Sequence, residues 1–396
     1  MTKKIFKCTV FAFFIMMIFF IGCRQAVIAP EKVPEPVYYT VSFFSNGGSD
    51  VPAQIVESGN RADKPDDPEK EEYQFFGWYC DAELTRKFDF NCLILSDTEL
   101  YAKWLKNCVI SEGTEINEPV ENSGLFIEGR DISIGSIVMC DHEVTQAEYA
   151  QYMTWYGIEN NKNDNKPLES KGLGDDFPAY YINWYECVIY CNLRSIAEGL
   201  DPVYYMIIEE QNVYAPEQWT LLEGSEVTVN EDGKFYYNST KDSLILGNPE
   251  TGIKYDLSAN GYRLPTEAEW EFMARGGSSG ILEEQTTYCG SDDIDEVAWY
   301  KDNSGYKSHE VKQKKPNSLG LYDMSGNIAE ICYDWYGDID ASTPVLGAES
   351  GTTCVRRGGC WSGIESSIRI EDRGTPREPS YRSMYGGLRV VCTCME

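Results

Sequence analysis

Sulfur, imidazole, carboxylate and guanidinium are the groups with which this chain could do chemistry. It carries fourteen cysteines, two histidines, and 64 acidic against 34 basic residues, for a formal charge of −30. Cysteine thiolates bind soft metals and undergo disulfide exchange. Cys8 lies inside an N-terminal apolar run and Cys23 at its end. The tightest spacings among the other twelve, Cys187/Cys191 and Cys392/Cys394, form no paired CxxC set of the kind that holds zinc. These twelve are expected as buried thiols or as disulfides, with a pairing that spacing does not determine. His142 and His309 are too few for a three-histidine site and are expected as surface or hydrogen-bonding residues. Carboxylates in such excess suit a hard cation such as calcium, favour solubility, and repel a phosphate backbone, which argues against nucleic acid as a partner. No HExxH and no phosphate-cradling glycine loop ahead of a helix occurs.

One stretch stands apart. Between Ser362 and Gly387 the chain places Glu365, Arg369, Glu371, Asp372, Arg373, Arg377, Glu378, Tyr381, Arg382 and Tyr385. Arginine and tyrosine are the side chains most enriched at binding hot spots, combining large contact area with fork-shaped or hydroxyl donors. The stretch is either a recognition surface or a solvated loop laced with internal ion pairs.

The elements that would position these groups begin with an address. Lys3, Lys4 and Lys7 form a basic start, Thr9 to Ile21 is apolar, and Gly22-Cys23 closes the segment. This pattern predicts a lipoprotein signal over 1–22 with Cys23 as the lipidated residue, because the apolar run is shorter than a bilayer span needs. Residues 23–37, proline-rich and charged, read as a tether. From 38 to 105 the texture is that of a small β module: Tyr39–Phe44, Phe75–Tyr79 and Leu100–Trp104 alternate as strands, and Asn46-Gly47-Gly48 supplies a turn. A polar linker is expected over 106–123. Residues 124–396 read as one α+β domain in which three helix starts carry capping boxes, at Thr145, Asn183 and Thr266, each with Glu three residues on. The first should lead a stripe of Tyr149, Tyr152, Met153 and Tyr156.

Two resemblances attach to these residues. The order SNGG, KP, FFGWY, LYAKW over 39–104 resembles the Listeria–Bacteroides repeat, which implies a β-grasp-like spacer or adhesive module. Five separated motifs resemble the formylglycine-generating (sulfatase-modifying-factor) family over 124–393. They are EVTQAEY from Glu143, RLPTEAEWEFMARGG from Arg263, KPNSLGLYDMSGN from Lys315, RRGGCW from Arg356, and GLRVV from Gly387. That family implies an irregular variant of the C-type-lectin fold.

The family's oxidase chemistry uses two cysteines on copper shortly after the Gly-Gly-x-Trp strand. Carried over residue by residue, those positions are Gly363 and Ile368, so no catalytic residue and no copper are expected; Cys360 falls at a strand position that suits a packed thiol. The resemblance also implies a structural calcium, held by the side chains of Asp323 and Glu330 and the carbonyls of Gly326 and Ile328, unless this loop is only an Asx-type turn. On the same fold the 361–385 stretch lines the exposed ligand face. That makes Trp361, Glu365, Arg369, Glu371, Asp372, Arg373, Arg377, Tyr381, Arg382 and Tyr385 the candidate binding residues. The arrangement is similar to variable proteins of diversity-generating retroelements, some of them spirochaetal lipoproteins. The implied protein is a lipid-anchored envelope binder of an extracellular protein, peptide or glycan. The alternatives are a formylglycine-generating oxidase and a purely structural envelope protein.

Overall fold

A computed structural model describes residues 35–84, 86–155, 166–219, 225–239, 252–348 and 350–393. The signal segment, Cys23 and most of the tether lie outside these residues. Among those described, no helix is long and apolar enough to cross a membrane.

The N-terminal module is a four-stranded sheet rather than the three strands the sequence suggests. Its strands are β1 (Tyr38–Phe44), β2 (Gln54–Glu57), β3 (Tyr73–Tyr79) and β4 (Thr98–Lys106), in the order β2-β1-β4-β3. The central pair β1/β4 is parallel and the outer pairs antiparallel, a β-grasp strand order. β2 is short and lies at the edge, which leaves only Val56 inward and gives the sequence little alternation to betray it. The FFGW of β3 has a physical reading. A bulge between Phe75 and Gly77, with Gly77 at φ 137°, lets two successive phenylalanines both be buried. Phe75 joins the module's own core with Val41, Trp78 and Leu100, whereas Phe76 packs with Val138, Trp184 and Leu388 of the large domain. A bulge adds a residue to one strand and so resets which face the next side chain takes.

The expected linker over 106–123 is instead structure. Only Asn107, at φ 53°, separates β4 from β5 (Cys108–Ser111), and β6 (Thr114–Ile116) follows. β5 pairs with β8 (Ile137–Cys140) and β6 with β7 (Ile132–Ile134), both antiparallel. The polar composition here reflects strands with one solvated face, and their partners lie more than fifteen residues downstream. β8 also pairs with Val391–Thr393, which pairs in turn with Tyr262–Arg263. The two ends of the domain therefore close on each other in one sheet. A second sheet centres on Ala329–Trp335, flanked by Cys354–Arg357 and Gly386–Gly387.

All three capping boxes form. Thr145, Asn183 and Thr266 each accept from the amide of a glutamate three residues on, whose side chain accepts from the cap's own amide. They start α1 (Gln146–Ala150), α2 (Trp184–Ala197) and α3 (Glu267–Ala274). Such a cap is worth roughly 1 kcal/mol. α1 stops after five residues, well before the end of the aromatic stripe; Tyr149 is buried from the helix and Met153 from the turn after it, and Tyr156 lies outside the described residues.

Candidate functional site

The RRGGCW segment turns the chain from framework to loop. Arg357 is wholly buried, donating through Nη1 to Glu267 (2.9 Å) and Nη2 to Glu271 (2.6 Å), both on α3. Gly358 and Gly359 follow at φ 81° and 69°. A Cβ on Gly359 would stand 2.3 Å from the Ser367 carbonyl oxygen, so glycine here lets the strand end pass directly against the loop that returns to it.

That return places the two copper-ligand positions of the resemblance side by side. A Cβ built on Gly363 would lie 3.2 Å from Ile368 Cγ2 and 2.7 Å from Ser367 Oγ. The two positions therefore touch, with the Ser367 hydroxyl and the Ile368 methyl as the side-chain groups nearest Gly363. Ile368 is fully buried among Tyr288, Val297, Ala298 and Tyr300. Cys360 is half-buried with its sulfur 3.3 Å from Ser362 Oγ, the one side-chain partner its thiol has among the described residues.

The ten candidate binding residues do not share one fate. Trp361 is a packing residue, 2 % exposed, with its indole donating to the Met384 carbonyl and its ring against Tyr385 and beneath the Lys171 ammonium. Arg373 is bound bidentately to Glu267 (2.7 Å from both Nε and Nη2), and Arg382 to Glu186 of the α2 capping box (2.9 and 3.0 Å). These three correct the reading of the stretch as a uniform face, because their polar groups are consumed by the framework. Glu365, Arg369, Arg377, Tyr381 and Tyr385 are exposed, and Glu371 and Asp372 half-buried. The Arg377 and Arg356 guanidiniums lie 5.0 and 5.2 Å from the Tyr381 ring centroid, within cation–π range. Arg369 makes only a 3.5 Å contact to Glu371, a pair worth little at a surface.

The loop expected to hold calcium fits only in part. Asp323 is buried, its Oδ2 accepts from the Lys312 amide (2.7 Å), and its Oδ1 has no partner, as a cation ligand would. Burial pushes its carboxyl up to about 6. Glu330, however, is already occupied: Arg389 donates to both its oxygens at 2.7–3.0 Å, and the Trp270 indole donates at 2.6 Å. With a guanidinium on Glu330, the four expected ligands do not fit one ion as a set.

Two buried groups lie beside this loop. Glu143 accepts from Asn327 Nδ2 (2.6 Å) and the Ile328 amide (2.9 Å), and burial, then Asp323 and Glu330, raise its carboxyl well above the usual range. His142, expected at the surface or in hydrogen bonds, is buried between Asp141 (2.5 Å) and Glu148 (3.3 Å). Burial works against its charge, but the two carboxylates outweigh it and hold the imidazole up at about 9. His309 stacks on Trp299 at 3.8 Å. The signal for His142 was its neighbour Asp141 and the capping-box Glu148, six residues away.

Comparison with known proteins agrees with this geometry. The model of the sulfatase-modifying factor enzyme 1-like domain matches residues 108–394, and that of the Listeria–Bacteroides repeat matches 39–103. The first match begins at β5, inside the stretch expected as a linker. A relative described as chaperone protein LppX of Paenibacillus barcinonensis is 31 % identical over 262 residues, 62 % of this chain and 76 % of its own. A formylglycine-generating enzyme of Streptomyces coelicolor is 34 % identical over 119 residues, 26 % of this chain and 36 % of its own. Among solved structures, Treponema denticola variable protein 1 superposes with a TM-score of 0.55 at 28 % identity, covering 72 % of this chain and 94 % of its own.

Proposed function

The chain belongs to the sulfatase-modifying factor enzyme 1-like family, with a Listeria–Bacteroides repeat ahead of that domain, and on that premise we propose that it is a ligand-binding envelope protein without the family's oxidase chemistry. One observation carries the reading. The two positions that would share copper are adjacent, yet they hold a glycine and a buried isoleucine. Neither can ligate a soft metal or donate an electron. What remains at that end of the domain is an exposed set, Arg377 and Tyr381 with Tyr385 nearby, on a loop held by Arg373 and Arg382. A rigid base under exposed aromatic and guanidinium groups is the arrangement that favours recognition.

The ligand in this reading is an extracellular protein, peptide or glycan, and the anchor is lipid on Cys23. The likeness to a protein described as variable supports placing the recognition on this loop. The purified protein, incubated with copper, oxygen and a Cys-x-Pro-x-Arg peptide, should yield no aldehyde. On arrays of extracellular proteins and glycans it should show saturable binding that falls at least tenfold in a Arg377→Ala, Tyr381→Ala variant of unchanged melting temperature. Turnover that disappears with Cys360→Ser would establish the oxidase instead, and the absence of any saturable ligand would favour a structural envelope role.

A further inference from the structure

The sequence leaves the cysteines unpaired, and the fold pairs two of them. Cys108 opens β5, Cys140 closes β8, and the two stand directly opposite in the antiparallel register. The Asp141 amide donates to the Asn107 carbonyl at 2.8 Å, which makes 107/141 the hydrogen-bonded pair. The next pair, 108/140, is then the non-hydrogen-bonded kind, whose Cα atoms approach to about 4.5 Å. That lies within the roughly 4.4–6.8 Å over which a disulfide closes without moving the backbone. The sulfurs are already 3.3 Å apart. Cys392, the other thiol on this sheet, pairs in register with Val138 and so stands diagonal to Cys140 rather than opposite.

The surroundings suit exchange chemistry. Arg194 Nη1 lies 4.0 Å from the Cys140 sulfur. The hydrogen bond from Cys108 draws the Cys140 thiol below its ordinary range and holds Cys108 above it. Cys108 is half-buried and Cys140 fully buried, so the first is the more accessible of the two.

We infer that Cys108 and Cys140 form a disulfide that staples the junction between the repeat module and the large domain when the chain meets a disulfide oxidant. Cys108, passing its proton to the Cys140 thiolate 3.3 Å away, attacks one sulfur of a small disulfide and expels a thiolate, and Cys140 gives that proton up to solvent. The Cys140 thiolate then attacks Cys108 Sγ and expels the second. Two protein thiols are oxidised, one external disulfide is reduced to two thiols, and the protons pass to solvent. The bridge fixes the first strand of the large domain one residue after the repeat ends, beside Asn107, whose amide is tied to the Glu72 carbonyl at 2.7 Å. It does not depend on what the exposed loop binds or on the lipid anchor.

Equilibrating the purified full-length protein with oxidised glutathione, followed by alkylation, digestion and mass spectrometry, tests this. We expect a peptide linked through Cys108 and Cys140, released by reductant, and a rise in melting temperature on the order of 5–10 °C that reductant reverses in the unmodified sequence. Cys108→Ala and Cys140→Ala should each abolish the rise, with Cys108 open to maleimide in the Cys140→Ala variant and the circular dichroism of both unchanged. Recovery of both cysteines as alkylated thiols, or of Cys140 linked to Cys392, would overturn the assignment.

Discussion

Arg357, on a framework strand, and Arg389, just ahead of the strand Val391–Thr393, are wholly buried, and both bond to carboxylates that are themselves 0–2 % exposed. Arg369 and Arg377, on the loop between those strands, stand in solvent with one weak ion pair and one ring contact respectively. The residue type is the same, but in the first pair desolvation makes each hydrogen bond compulsory, and in the second water competes for every one. The loop's composition therefore overstates its free surface, since Arg373 and Arg382 face inward to Glu267 and Glu186 and behave as framework. The base of this exposed loop is held by α3 and the α2 capping box.

The contrast can be broken by mutation. Arg357→Ala removes the buried cation that Glu267 and Glu271 share, leaving Arg373 on the first and Arg275 on the second. Removing one partner of a buried pair costs about 3–5 kcal/mol, a large share of a domain's stability, so urea denaturation should show a midpoint far below that of the parent protein. A near-parental midpoint would show that the buried lattice is dispensable.

A second test concerns His142, charged between Asp141 and Glu148. A histidine raised from its unfolded value near 6.5 to about 9 contributes stability that is complete below about 6.5 and lost as pH rises through 9. Glu148, lowered to about 2 through its bond to His142 despite burial, loses its part only as pH falls below its unfolded value near 4.5. The parent protein should thus lose roughly 1–3 kcal/mol between pH 6.5 and 9.5 that His142→Gln does not lose. Parallel pH curves for the two would remove the charged imidazole from the account.

The smallest effects are expected where solvent competes. Arg369→Ala should change stability by no more than about 0.5 kcal/mol. Chelation with EGTA should leave the melting temperature of the parent unmoved, because Arg389 already serves Glu330 in place of a cation. A fall on chelation that Asp323→Ala abolishes would reinstate the four-ligand calcium loop.

The helix starts were legible because a capping box is a local device: Thr145, Asn183 and Thr266 need only the glutamate three residues on. The family motifs were legible for a related reason, as they hold glycines and ion pairs that the framework cannot exchange. β5 and β6 were not, because a four-residue strand with one wet face looks like a linker until its partner arrives. The length of α1 was also missed, since the aromatic stripe that suggested a longer helix serves a turn beyond Ala150.

Within the site, the sequence was enough to say which residues stand at positions 363 and 368, because their identity is a covalent fact. It could not say that those two positions touch, that Cys108 faces Cys140, or that Glu330 is claimed by Arg389. Such facts belong to tertiary structure for a physical reason. A hydrogen bond or a thiol pair acts over about 3–4 Å, and residues 59 apart along the chain reach that distance only after the sheets have closed.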